Sequence, residues 1–182
     1  FVATRLPAPA AINAAFVLPA AMPLPEFSLV DQARNVVTRD SFRDRWDLVF
    51  FGFTHCPDIC PAGLQVITAA LDKLGAGADK VTPLFVTVDP ERDTPAQLKT
   101  YVASFHKNLV GLTGSAEDIS AVAKAYRVYY RKAQDPSLND YTMDHTSFIY
   151  VMDGNAEFVT HFPHGVAPDK LAARLAAELE RL

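Results

Sequence analysis

The feature that most restricts the fold is a pair of short hydrophobic runs with an amphipathic stretch between them. The runs are 48–53 (LVFFGF) and 81–88 (VTPLFVTV), and each is typical of a strand buried on both faces. Between them, the apolar residues of 61–74 recur at helical spacing until Gly75. A strand, a helix and a strand in this order predict a right-handed parallel crossover within an α/β sheet.

The rest of the chain adds helices and a hairpin to this unit. Capping patterns at Thr94 and Ser115 predict two more helices. Residues 146–152 and 157–162 predict a hairpin, and Pro168 opens a last amphipathic helix. The predicted order is β-α-β-α-α-β-β-α. It is similar to that of thioredoxin-like folds of the glutaredoxin and peroxiredoxin type, which are three-layer α/β sandwiches with a mixed central sheet.

The N-terminal segment differs from this domain in composition. Its 25 residues include five of the 13 prolines and eight alanines, but only one charged residue, Arg5. Its longest proline-free apolar stretch, 10–18, is shorter than the roughly 20 residues that a membrane helix needs. We therefore predict a linker or tether over 1–25 and one domain over 26–182, with any membrane anchor lying outside this chain.

Charge and cysteine content exclude several classes of protein. The 17 basic and 21 acidic residues give a formal charge of −4, which argues against a nucleic-acid binder because phosphate recognition needs a basic face. Cys56 and Cys60 are the two cysteines of the chain, so a disulfide scaffold and a four-thiolate zinc site are both excluded.

Both cysteines lie in the segment 56–61 (CPDICP), between the first predicted strand and the first predicted helix. Unpaired N–H groups at a helix start favour the thiolate form of cysteine. A spacing of four residues puts both sulfurs on one side of a helical turn, where they can form a disulfide or bind a soft metal ion. Thioredoxins have two residues between their cysteines, whereas this chain has three. The wider spacing fits metal chelation at least as well as dithiol exchange.

Two thiolates leave a metal ion undercoordinated, so we looked for a third donor among five histidines. His106 ends a predicted helix and is interpreted as structural or solvated, while His161 and His164 are predicted at the surface. His55 adjoins the first cysteine, and neighbouring side chains of an extended segment point apart. His145 follows a polar loop and precedes a predicted strand, which makes it the favoured candidate, although spacing alone leaves the others open.

Three segments resemble the motifs of one known family. They are 52–61 (GFTHCPDICP), 86–95 (VTVDPERDTP) and 144–145 (DH), and they occur in the family's order. The family is Sco/SenC, whose members are thioredoxin-like copper-binding assembly factors for cytochrome c oxidase. The resemblance covers about residues 25–182.

The resemblance implies a copper chaperone. Cys56, Cys60 and His145 would bind one copper ion, as Cu(I) or Cu(II), and the fold would bring His145 to the cysteines. The implied client is the dinuclear copper site in subunit II of cytochrome c oxidase, with copper supplied by an upstream donor protein. Family members are membrane-anchored, so we expect a periplasmic protein tethered to the bacterial inner membrane or, alternatively, one in the mitochondrial intermembrane space.

An alternative function uses the same cysteines. A thiol–disulfide oxidoreductase would reduce the client's cysteines with Cys56 and Cys60 as its redox pair, and a peroxidase is a third possibility. His145 distinguishes these functions, because copper binding needs it and disulfide exchange does not. A disulfide between the cysteines cannot provide two thiolates, so we expect copper loading to require prior reduction.

Acidic residues near the motifs have structural interpretations. Asp58 is expected either to cap the first helix or to repel anions from the site, and the cap is favoured. Asp144 is expected to orient His145, to face a partner protein or, equally, to be an ordinary loop carboxylate. The charged residues of 89–93 are expected to pair locally in a turn, with Thr94 capping the next helix.

Overall fold

The computed structural model describes residues 27–135 and 140–181. The strands are β1 (Ser28–Asp31), β2 (Val36–Thr38), β3 (Trp46–Gly52), β4 (Val81–Thr87), β5 (Val110–Thr113), β6 (Tyr130–Asp135), β7 (Asp140–His145), β8 (Phe148–Met152) and β9 (Phe158–Pro163). The helices are α1 (Ile59–Leu74), α2 (Pro95–Val102), α3 (Ala116–Ala125) and α4 (Pro168–Leu179). The predicted tether over 1–25 and both outer limits of the predicted domain lie outside the described residues.

Seven strands form one mixed sheet in the order β2-β1-β5-β4-β3-β8-β9. β3 pairs parallel with β4 and antiparallel with β8, so it has a neighbour on both edges. All seven residues of β3 are buried, which explains why its sequence is a continuous apolar run.

Helices cover both faces of the sheet. Successive residues of a strand point to opposite faces, so neighbouring residues of β3 pack against different helices. The ring of Phe50 faces Gly63 of α1, and α4 packs beside α1. The ring of Phe51 lies on the other face, 5.1 Å from that of Tyr126 at the end of α3. The three-layer, thioredoxin-like α/β sandwich predicted from the element order is confirmed.

The predicted order lacks five of the strands that the structure contains. β1 and β2 form an edge hairpin, and β5 separates the two helices that were predicted to be consecutive. These strands have three or four residues each, too few to show a periodic pattern. β6 and β7 form a separate two-stranded sheet, so His145 ends a strand instead of following a polar loop. β6 (YRKAQD) is mostly polar, which is why its sequence does not indicate a strand.

The fold places the cysteine segment at the carboxyl edge of the parallel strands. α1 begins seven residues after β3 ends, and the turn after the adjacent β4 lies at the same edge. Open α/β sheets bind ligands at this edge. Among the described residues, the helices are too short or too polar to cross a bilayer.

Candidate metal centre

The two cysteines differ in burial because they sit on either side of the helix start. Cys60 is the second residue of α1 and is fully buried under the sheet. Cys56 lies in the loop before α1 and is half-buried. The backbone N–H of Cys60 donates to Sγ of Cys56 over 3.3 Å, so the first turn of the helix points a donor at the outer sulfur.

His145 completes a cluster with these cysteines. One donor atom from each of the three residues lies within 4.8 Å of the other two, and Nε2 of His145 is 3.3 Å from Sγ of Cys60. The imidazole reaches the cysteines from β7, 85 positions further along the chain. The structure therefore brings together all three residues predicted for the site.

The orientation of the imidazole is fixed by its other nitrogen. Nδ1 of His145 lies 3.0 Å from the carbonyl oxygen of Thr146, which can only accept a hydrogen bond. Nδ1 therefore carries the proton, and Nε2 presents its lone pair to the sulfurs. The ring also meets that of Phe53 edge-on, with centroids 5.8 Å apart. This is the arrangement that metal-binding histidines use, with one nitrogen anchored and the other free to coordinate.

The two cysteines differ in protonation, because Cys60 keeps its proton more strongly than Cys56. A hydrogen bond from the Cys60 thiol, together with bonds from backbone N–H groups, lowers the pKa of Cys56 to about 4. The same hydrogen bond, together with burial, raises the pKa of Cys60 well above its ordinary value. The outer sulfur is thus a thiolate at neutral pH, and a metal ion would displace the single proton held by the inner one.

The donor set fits a soft transition metal. Two sulfurs and one imidazole nitrogen suit Cu(I), Cu(II) or Zn²⁺ better than Mg²⁺ or Ca²⁺, which prefer oxygen ligands. An open cleft of about 360 Å³ adjoins the cluster and is lined in part by Pro57, Ile59 and Met143. The cluster can therefore be reached from outside by the ligands of another protein.

Comparison with known proteins gives the family. A family model described as SCO1/SenC matches residues 19–180. The chain belongs to the SCO1/SenC family. The three-motif resemblance is thereby confirmed.

Individual relatives agree with this assignment. "Protein SCO1 homolog 1, mitochondrial" of Arabidopsis thaliana is 42% identical over 157 residues, which are 85% of this chain and 46% of that protein. "Protein SCO2 homolog, mitochondrial" of Bos taurus is 43% identical over 80% of this chain and 56% of that protein. A solved structure of Bradyrhizobium japonicum ScoI with copper bound has a TM-score of 0.79 and 44% identity, covering 86% of this chain and 99% of that one. This SCO1/SenC chain thus spans about half the length of these two curated relatives.

The remaining histidines of this SCO1/SenC protein lie outside the cluster. His106 lies four residues beyond the end of α2, and its Nδ1 accepts a hydrogen bond from the N–H of Asn108. His55 is exposed, with Nδ1 near Oγ1 of Thr54. His161 and His164 were predicted at the surface, but both are half-buried, and the His161 ring packs 4.7 Å from that of Phe148.

The predicted helix cap by Asp58 was wrong, and one of the alternatives for Asp144 is excluded. Asp58 occupies the N-cap position of α1, but its side chain makes no capping hydrogen bond. Asp144 does not orient His145, because its carboxylate pairs with Arg131 over 2.9 Å on the exposed side of the two-stranded sheet. The carbonyl of Thr146 performs the orienting role, and a backbone group leaves no mark in the sequence.

Asp93 is the supporting residue that sequence reasoning underestimated. It is fully buried, and its carboxylate accepts hydrogen bonds from the N–H and hydroxyl of Thr54 and from the hydroxyl of Thr87. Because Thr54 lies two residues before Cys56, these bonds fix the start of the cysteine segment. The local turn was otherwise correct, since Thr94 caps α2 by accepting from the N–H of Gln97. The signal was the second family motif, which contains Asp93.

Proposed function

We propose that this protein is a copper chaperone that binds one copper ion through Cys56, Cys60 and His145. The observation that carries the proposal is the convergence of two sulfurs and an oriented imidazole nitrogen within 4.8 Å. Thiolates are preferred ligands of Cu(I), and an added imidazole lets the same site hold Cu(II). The 44% identical ScoI structure contains copper, which supports the choice of metal.

The proposed client is the dinuclear copper site in subunit II of cytochrome c oxidase, with copper received from an upstream donor protein. This client follows from the family resemblance, and the open cleft beside the cluster supports a transfer role. We further propose that residues 1–25 form a tether to a membrane anchor outside this chain. The compartment would then be the bacterial periplasm or, alternatively, the mitochondrial intermembrane space. The two relatives named mitochondrial make the second alternative a reasonable one.

A second candidate function is reduction of the client's disulfide. The two cysteines are not joined by a disulfide here; Cys56 is half-buried and has a lowered pKa, and Cys60 is buried. That asymmetry suits a dithiol in which Cys56 attacks the client's disulfide and Cys60 then resolves the mixed disulfide, leaving the client reduced and the pair oxidised.

Copper stoichiometry on three proteins tests the proposal. We expect one copper per reduced parent chain, and a large loss of Cu(II) affinity in His145→Ala because only the imidazole is removed. His106→Ala is the matched control, since His106 lies outside the cluster, and it should bind like the parent. Parent-like Cu(II) binding by His145→Ala would refute the three-ligand site.

Transfer to a client separates the two candidate functions. Copper-loaded protein should fill the copper-free, reduced soluble domain of an oxidase subunit II, as followed by its copper spectrum. Metal-free reduced protein mixed with the oxidised domain tests reduction instead, as followed by thiol counting. If the copper-loaded protein transfers no copper to the reduced subunit II domain, the proposed chaperone function is refuted.

A further inference from the structure

The turn between β4 and α2 contacts both segments that carry the cluster. We call residues 89–93 the carboxylate turn. On one side, Asp93 binds Thr54 in the cysteine segment. On the other side, Asp89 and Arg92 reach Tyr141 in β7, four residues before His145. A single turn therefore connects the cysteines to the strand that brings the histidine.

Arg92 makes most of the connection to β7. Its Nη1 donates to the carbonyl oxygen of Tyr141 over 3.0 Å and to the Asp140 carboxylate over 3.2 Å. Its Nε donates to Asp89, and its guanidinium carbon lies 3.8 Å from the centroid of the Tyr141 ring. The side chain is only 16% exposed, so these charge-assisted and cation–π contacts are partly shielded from water.

Asp89 and Tyr141 close this group from the other side. The hydroxyl of Tyr141 donates to Oδ1 of Asp89 over 2.9 Å, while Arg92 occupies Oδ2. Asp89 is 1% exposed, so both oxygens of a buried carboxylate are engaged in holding β7. We call Asp89, Arg92 and Tyr141 the ribbon latch, where the ribbon is the pair β6 and β7.

The ribbon needs such contacts because β6 and β7 form a sheet of two strands, apart from the main sheet. A two-stranded sheet is marginally stable by itself, so its position depends on side chains that tie it to the body. Met143 is buried and gives a second point of attachment, so loss of the latch should shift the ribbon without unfolding the protein.

We propose that Arg92 is a positioning residue that keeps His145 at the cysteine pair and thereby determines whether the site can hold Cu(II). The proposal rests on the copper site described above. Two thiolates suffice for Cu(I), whereas Cu(II) is favoured by the added imidazole. A protein with an open latch would therefore keep Cu(I) on the cysteines and lose Cu(II), so movement of the ribbon would regulate the oxidation state that is carried.

The test compares Arg92→Met with the parent in two measurements. Competition titrations should show Cu(II) affinity lowered about 10- to 100-fold, the usual cost of losing support for a metal ligand, while Cu(I) affinity changes much less. Hydrogen exchange on the reduced, metal-free protein should show protection in β7 lowered about tenfold or more, as expected for loss of a hydrogen bond to a charged group. The second measurement involves no copper.

Two further variants make the result decisive. Tyr141→Phe removes the bond to Asp89 but keeps the ring under Arg92, so it should show the same pattern with smaller effects, and it decides the case if Arg92→Met does not fold. Arg174→Met is the matched control, because Arg174 pairs with the buried Glu178 on α4, where Arg181 continues to pair with it. It should lower stability without changing the ratio of Cu(II) to Cu(I) affinity.

The latch proposal fails if Arg92→Met keeps both the parent's affinity ratio and its β7 protection. It also fails if Arg174→Met changes the ratio as much, because the effect would then be one of general stability. A parent that binds no copper would refute the proposed function alone, since β7 protection still measures the latch.

Discussion

The cysteine segment and the ribbon both contribute residues to the proposed copper site but are built in opposite ways. Cys60 lies at the start of a 16-residue helix beneath a wholly buried strand, with no exposed surface of its own. His145 ends a strand in which five of six residues are exposed or half-buried and whose only strand partner among the described residues is β6. The proposed sulfur ligands therefore share the stability of the core, while the proposed nitrogen ligand depends on side-chain contacts.

This difference would suit the proposed chaperone function, which requires a protein to hold and then release a metal ion. In that function a fixed sulfur pair would retain Cu(I), and a ligand on a separately attached ribbon could leave without disturbing the core. The two regions are therefore expected to respond separately to changes in stability.

The largest expected difference between the two regions is in how their stability depends on pH. It comes from Asp47, a residue of β3. Asp47 is 3% exposed, and burial raises its pKa from 3.8 to about 8. Between these values the folded protein keeps a proton that the unfolded chain has lost, so stability falls as pH rises and levels off above about 8. The slope should reach up to about 1.4 kcal/mol per pH unit. Urea unfolding from pH 5 to 8 measures it, and Asp47→Asn should remove most of it.

Hydrogen exchange across the same pH range tests the comparison itself. Protection factors in β3 should fall with global stability, because these amides exchange through global unfolding. Protection in β7 should stay nearly constant, because the ribbon opens locally. If β7 loses protection in step with β3, the two regions form one cooperative unit and the comparison is wrong.

The second prediction concerns Gly52, whose substitution should disturb the cysteine segment. A Cβ at this position would lie 2.7 Å from Sγ of Cys60 and 2.7 Å from the Phe85 ring, closer than real contacts allow. Gly52→Ala should therefore lower the free energy of unfolding by about 1–3 kcal/mol and weaken Cu(I) and Cu(II) binding together, because a sulfur moves. Gly77→Ala is the control, since its Cβ would meet Leu179 at an ordinary 3.5 Å. Loss of Cu(II) alone in Gly52→Ala would contradict a sulfur-based effect.

The contrast between the regions also explains what could be predicted from the sequence. β3 and α1 carry strong periodic patterns because they pack against the core, so the cysteine junction was located within two residues of its place. β6 and β7 lack such a pattern because they pack on few neighbours, and the strand that bears His145 was interpreted as a loop. His145 itself was identified by its motif and not by local periodicity.

The residues that hold the proposed ligands in place were harder to predict than the proposed ligands themselves. Asp93 and Arg92 lie among charged residues that indicate an ordinary turn, and their partners Thr54 and Tyr141 are 39 and 49 positions away. Contacts over such distances are set by the three-dimensional arrangement of strands, which residue spacing does not contain.

The smallest expected effect concerns Asp144, which the sequence placed beside the histidine ligand. Its carboxylate is 48% exposed and pairs with Arg131, itself 65% exposed, and exposed ion pairs contribute little to stability. The imidazole is held instead by the carbonyl of Thr146, which survives any side-chain change. Asp144→Asn should therefore keep the parent's Cu(II) affinity in a competition titration, in contrast to Arg92→Met. A comparable loss of Cu(II) affinity in both variants would mean that charge near the ligand, and not the latch on the ribbon, holds His145 in place.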